Sequence, residues 1–199
     1  MKAILIDIKN TILATIVMGI ICCGIYPVAV WGLGQVLFNH KANGSLILSK
    51  DGKTILGSEL IGQPFSSDKY FNSRPSAAGT GYDASNSSGT NLGPTSQKLN
   101  DSIKAAVDAY RKQNGMAADA LVPADAVTSS ASGLDPHISV KNAYIQAARV
   151  AKTRNLDPAK VQELVDEYTD KPGLGVFGDA GVNVLKLNLA LDALANTTK

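Results

Sequence analysis

The chain has 199 residues, 45% hydrophobic and 18% charged, with two histidines, two cysteines and a formal net charge of +2. Near-neutrality removes the electrostatic basis for binding nucleic acid, two histidines cannot assemble a histidine zinc site, and two cysteines cannot build a disulfide framework. The charge is also unevenly distributed: Lys2, Asp7 and Lys9 precede a long uncharged run, and Asn39 onward carries 17 Lys plus Arg against 16 Asp plus Glu.

Thr11 to Phe38, TILATIVMGIICCGIYPVAVWGLGQVLF, contains no charged side chain. As a helix it would be about 42 Å long, against a hydrocarbon core of roughly 30 Å, so it predicts one membrane span. A cleaved signal peptide fits poorly, because the run is too long for an h-region and no small-x-small site follows it. A lipoprotein anchor fits poorly too: Ile21 precedes Cys22, where a small residue would be needed. The expected organisation is a short tail over 1–10, a transmembrane helix over 11–38 kinked near Pro27, and one soluble domain over 39–199. Lysine counts on the two sides, Lys2 and Lys9 against Lys41, Lys50 and Lys53, leave orientation undecided. A short leading tail before a large domain favours the domain on the outer face. Gly19, Gly24, Gly32 and Gly34 would let another helix approach closely.

In the domain, Ser45–Leu48 and Thr54–Leu56 flank Asp51-Gly52, a hairpin signature in which Asp-Gly suits a tight turn. Residues 66–95 are crowded with Gly, Ser, Asn and Pro and predict a loop that is either a linker or an ordered surface. Leu99, Ile103, Ala106, Val107 and Tyr110 recur at helical spacing, with Gly115 at the C-terminal cap position. A strand is expected over Ala120–Thr128. Ser139 caps a helix reaching Arg154, and Asp157-Pro158 opens another to about Tyr168. A last helix is expected from Gly181 to Ala195, with Val184, Leu187, Leu191 and Leu194 on one stripe. The fold class is therefore α+β: one N-terminal transmembrane helix followed by a single mixed domain with N-terminal strands and C-terminal helices.

Chemical motifs are sparse. Gly173-Leu-Gly175-Val-Phe-Gly178 has the letters of a dinucleotide loop, but a true fingerprint follows a strand and opens a helix, so it reads as an interhelical turn. His137 in Asp135-Pro-His could be a general base, yet no nucleophile lies beside it, and a hydrogen-bonded histidine at a helix entry is the simpler reading. Arg74 could grip an anion or form a structural ion pair. Asn43, Asn86 and Asn196 begin formal sequons.

Several blocks carry a family resemblance: Gly24-Ile-Tyr-Pro27, Ala42-Asn-Gly-Ser-Leu46, Gly57-Ser-Glu-Leu-Ile-Gly-Gln63, Arg74-Pro-Ser-Ala77 and Ser88-Gly-Thr-Asn-Leu-Gly-Pro94. Others are Val127 to Ser139, Arg149-Val-Ala151 and Val182 to Asp192. The chain resembles the C subunit of the Kdp potassium-transporting ATPase of bacteria and archaea along its whole length, with one departure: Ser88 and Thr90 stand in a block that usually reads closer to G-G-S-N. The resemblance implies a non-catalytic accessory subunit of an ATP-driven potassium import complex in the bacterial cytoplasmic membrane. Its partners there would be a P-type ATPase subunit, a channel-like potassium-binding subunit and a small single-span subunit. The resemblance further implies a catalytic chaperone that raises the ATP affinity of the ATPase subunit, with no cofactor of the chain's own and with ATP possible through the complex. The alternatives are an outer cap over the entry of the potassium-selective subunit without nucleotide contact, and a stand-alone membrane-anchored enzyme. No residue is assigned to catalysis or to a metal. Gly24, Pro27, Gln63, Arg74, Ser88, Gly89, Asn91 and Asn188 are the interface candidates.

Overall fold

The computed structural model describes residues 1–197 and divides into two units, Met1–Leu46 and Ile47–Lys199. The first begins with α1 (Lys2–Gly19), passes through a π-helical segment, Ile20–Ile25, and continues as α2 (Tyr26–Leu37) and the short α3 (Asn39–Ala42). The ten residues expected as a tail are thus the first turns of the helix. Lys2–Leu37 is the one stretch among the described residues long and apolar enough to cross a membrane, and none of its residues is buried.

Pro27 explains the π segment. It has no N–H to offer the carbonyl four residues before it, and its ring crowds the preceding turn. The chain widens there instead of breaking, so that Tyr26 N–H donates to the Ile21 carbonyl, five residues back. Polar side chains collect at the other end of the helix. Gln35 Oε1 accepts from Asn39 Nδ2 at 3.0 Å and from Asn43 Nδ2 at 3.1 Å. Such a ladder at four-residue spacing belongs in water or headgroups rather than in hydrocarbon.

The second unit opens with the expected hairpin, β1 (Leu46–Leu48) and β2 (Ile55–Ser58). Ser49 N–H donates to the Thr54 carbonyl at 2.8 Å, and Gly52 supplies φ +69° in the turn. After the glycine- and serine-rich stretch comes α4 (Gln97–Asn114), capped by the Ser96 hydroxyl and ended by Gly115 at φ +63°. Next are a 3₁₀ turn (Ala124–Ala126), β3 (His137–Ser139), α5 (Val140–Arg154), α6 (Pro158–Glu167), β4 (Thr169–Asp170), β5 (Gly181–Asn183) and α7 (Val184–Thr197). Ser139 and Asp157 cap α5 and α6 as their sequence positions predict. β5 is the middle strand of a three-stranded antiparallel sheet, ordered β3-β5-β4.

The core forms where α5, α6 and α7 close on this sheet. Ala143, Ala147, Val150 and Ala151 of α5 meet Val161 and Val165 of α6, Leu187 and Leu191 of α7, and Ile138 and Val182 of the strands. Small alanines at four-residue spacing let the α5 axis approach its neighbours closely. Phe71, from the stretch that composition marks as loop, is fully buried among them.

Three expectations change. Ala120–Thr128 is no strand: Pro123 lacks a ladder donor, and the Asp125 carboxylate is engaged instead with Ser139 N–H, Ser139 Oγ and Asn142 Nδ2, each at 2.8 Å. Gly181–Asn183 is a strand rather than the first turn of the last helix, because β3 and β4 flank it and satisfy its backbone on both sides. Gly173–Gly178 joins two strands, not two helices. The sequon at Asn196 runs out of the described residues.

Candidate functional site

Residues 66–95 are a clamped surface, not a linker. Asn188 of α7 holds both backbone groups of Phe71: Phe71 N–H donates to Oδ1 at 2.8 Å, and Nδ2 donates to the Phe71 carbonyl at 2.9 Å. One face of α5 grips the residues on either side of Phe71. Gln146 Oε1 accepts from Asn72 N–H at 2.7 Å, and Arg149 donates to Asn72 Oδ1, Gln146 Oε1, Asn114 Oδ1 and the Asp68 carbonyl. Burial lowers the Arg149 pKa, opposed by Asp68 nearby. Tyr110 completes the network by donating to Asn142 Oδ1 at 2.7 Å; burial, and then the Asp125 charge, push its pKa up.

The later part of the stretch, together with Gly62 just before it, lies against the backbone of residues 131–134. Ser88 N–H donates to the Ser132 carbonyl at 3.0 Å, Ser76 Oγ to the Gly133 carbonyl at 2.6 Å, and Gly62 N–H to the Leu134 carbonyl at 2.8 Å. A Cβ on Gly133, at φ +67°, would stand 2.6 Å from the Ser88 oxygen, and one on Gly89 would stand 2.9 Å from the Ala131 oxygen. Closeness of two backbones, not flexibility, is what these glycines provide.

Beside this clasp lies a cleft of about 440 Å³ lined by Arg74, Asp125, Asp135, His137, Asp170 and Asp179. His137 Nε2 is 2.8 Å from Asp170 Oδ2, and Nδ1 is 3.7 Å from Asp135 Oδ1. Asp135, partly buried, also takes the Arg74 guanidinium at 2.9 Å. The nearby His137 ring leads in holding the Asp135 carboxyl down to about 2, with the His137 backbone N–H, which donates to Oδ1 at 2.9 Å, and Arg74 assisting. Asp135 and then Asp170 raise the His137 pKa against the opposing effect of burial. Both ring nitrogens face carboxylates, so the imidazole straps β3 to β4 and has no nitrogen to spare as a base. Gly181 makes room for it, since a Cβ there would meet the His137 Cβ at 3.1 Å.

The interface candidates separate into two groups. Gln63, Arg74, Ser88, Gly89 and Asn188 work inside the domain: Gln63 Nε2 donates to the Leu56 carbonyl at 3.3 Å, and Asn188 is 1% exposed. Asn91 is exposed, in the left-handed region at φ +53°. Gly24 and Pro27 lie on the unburied helix, with open space where a Gly24 Cβ would stand. The polar face Asn142, Gln146 and Arg149 was not singled out from sequence. Its helical spacing opposite the alanines was the available signal, but its partners Asp68 and Asn72 lie more than 70 positions away in the chain.

The turn with dinucleotide-like letters uses its amides internally. Gly173 and Phe177 exchange backbone hydrogen bonds at 2.8 and 2.9 Å, Gly175 N–H donates to the Pro172 carbonyl, and Val176 N–H to that of Gly173. Those N–H groups do not cradle a phosphate.

Comparison with known proteins is consistent along the chain. Residues 8–193 match the family model described as K+-transporting ATPase, c chain. The chain is 54% identical over 180 residues, 90% of its length and 92% of the relative's, to the potassium-transporting ATPase KdpC subunit of Mycobacterium tuberculosis. To proteins of the same name it is 50% identical in Nitratidesulfovibrio vulgaris, covering 94% of each chain, and 47% identical in Koribacter versatilis, covering 96% of this chain and 94% of the relative.

Proposed function

The chain belongs to the KdpC family, accessory subunits of the Kdp potassium-transporting ATPase and not its catalytic chain, and from that premise we propose that it holds the complex together through its membrane helix. In this reading the domain stands on the outer face of the bacterial cytoplasmic membrane, over the entry of the channel-like potassium-binding subunit. The P-type ATPase subunit and the small single-span subunit are its other partners. Any rise in the ATP affinity of the ATPase subunit is then transmitted through the membrane helices rather than by contact with nucleotide.

The observation that carries this reading is the unburied helix: among the described residues none of Lys2–Leu37 is buried, and Gly24, where a neighbouring backbone can come close, lies in the π segment just before Pro27. A widened turn in a membrane helix also leaves carbonyls that neighbouring helices can satisfy. Coupling to a remote nucleotide site requires a two-state element in the partner that this contact biases.

Ser87 is exposed on the glycine- and serine-rich surface, so Ser87→Cys, with Cys22 and Cys23 replaced, tests the topology. A membrane-impermeant thiol reagent is expected to label it in intact cells. Labelling only after the membrane is opened would put the domain in the cytosol, sink the cap and favour direct contact with ATP.

A further inference from the structure

The β1–β2 hairpin and Leu60 just beyond it expose a group of aliphatic side chains, as the turn with Leu174, Val176 and Phe177 does elsewhere in the domain. Leu48 is 50% exposed, Ile55 58%, Leu56 39% and Leu60 61%. Two-stranded hairpins are marginal in water unless one face is covered. Here the base is fixed: a Cβ on Gly57 would meet Leu185 Cδ2 at 2.8 Å, Asn183 Nδ2 donates to the Glu59 carbonyl at 2.9 Å, and Lys186 pairs with Glu59 at 2.6 Å. The far end, with the turn, Leu48 and Ile55, leaves its aliphatic side chains half or more exposed, while Leu56 lies nearer the base, where Gln63 Nε2 donates to its carbonyl.

That turn presents Lys50 and Lys53, both exposed and neither with an ion-pair partner among the described residues. The one acid between them, Asp51, accepts from the Lys53 N–H at 3.1 Å, an arrangement that holds its carboxyl below the usual range. Aliphatic side chains edged by free lysines make an interfacial anchor for an anionic bilayer. Protein–protein interfaces, in contrast, are depleted of lysine. Chain length adds a constraint: the ten steps from Leu37, at the end of the apolar helix, to Ile47 can extend no more than about 35 Å.

We propose that the β1–β2 hairpin is a second membrane contact, in which Leu48, Ile55, Leu56 and Leu60 enter the headgroup region of an anionic bilayer while Lys50 and Lys53 meet lipid phosphates. This rests on the reading of Lys2–Leu37 as a bilayer anchor. It would set the tilt of the domain on the membrane and make that tilt depend on lipid charge.

The test uses the full chain with Cys22→Ser and Cys23→Ser, reconstituted in phosphatidylcholine vesicles with or without phosphatidylglycerol. Nitroxides on Ile55→Cys and, as anchor control, Val28→Cys are read by accessibility to oxygen against a water-soluble nickel chelate. With phosphatidylglycerol at low salt the label at position 55 becomes oxygen-accessible and chelate-protected. High salt reverses this, and Lys50→Gln with Lys53→Gln lowers the docked-to-undocked ratio roughly 30-fold, as expected for losing two lysines near an anionic surface. A label at 55 that stays in water in every vesicle, while that at 28 stays in hydrocarbon, overturns the proposal and leaves the anchor standing. Protection that arises only when the other Kdp subunits are added also overturns it, assigning the face to a protein. Water exposure at position 28 would instead overturn the anchor itself.

Discussion

Removing the Asn188 carboxamide should release the glycine- and serine-rich surface while leaving the helical core assembled. Asn188→Ala strands the Phe71 N–H and the Phe71 carbonyl, both now satisfied by one buried side chain. Each orphaned group costs about 1–3 kcal/mol, so the pair costs roughly 4 kcal/mol, a large share of the roughly 5–15 kcal/mol that holds a domain together. The Phe71 side chain, fully buried in the core beside this contact, adds its own share, and Phe71→Ala should cost about 3–5 kcal/mol. The two residues act as one clamp, so the double variant should fall short of the sum by about 1–3 kcal/mol. Urea unfolding of the full chain in detergent, with hydrogen exchange followed by peptide mass spectrometry, measures both effects. In Asn188→Ala, residues 66–75 should exchange well before α5, α6 and α7. A loss below about 1 kcal/mol, or strict additivity with Phe71→Ala, would refute the clamp.

Two further outcomes follow from the same geometry. Because the folded-state pKa of His137 lies above its ordinary 6.5, the strap contributes stability in full below that value and loses it as pH rises through the folded-state pKa. Asp135 behaves oppositely: its folded value of about 2 lies below 3.8, so its contribution is present above 3.8 and is lost as pH falls toward 2. His137→Gln should therefore flatten the alkaline side of a urea-midpoint profile; an unchanged alkaline fall would remove His137 as its source. The glycine clasp predicts a contrast: Gly133→Ala should cost at least about 2 kcal/mol, from a left-handed backbone pressed against Ser88, whereas Gly93→Ala, with nothing within 4 Å, should stay within about 0.5 kcal/mol. Equal thermal shifts for the two would mean that the clasp is not rigid.

Some of the candidate site was legible in advance, and for a local reason. Ser139 and Asp157 announce their helices because a cap bonds to N–H groups two or three positions away. Asp51-Gly52 announces its turn because Gly52 itself takes the positive φ. His137 could be suspected of holding a hydrogen bond, but Asp170, its partner, lies 33 positions on and carries no mark of that role.

The amino-acid sequence by itself determined a stretch long and apolar enough to cross a membrane, the helix boundaries set by caps, and the family, because length, uncharged composition and ordered local blocks need no knowledge of what lies across the fold. Only the tertiary structure decided that residues 66–95 are an ordered surface, that Gly181–Asn183 is a strand, and that Asn188 and Arg149 serve the interior. Each of these depends on a partner distant in the chain: Phe71 is 117 positions from Asn188, and β5 is a strand because β3 and β4 lie on either side of it. Burial and long-range hydrogen bonding are properties of that meeting, and propensity carries no record of them.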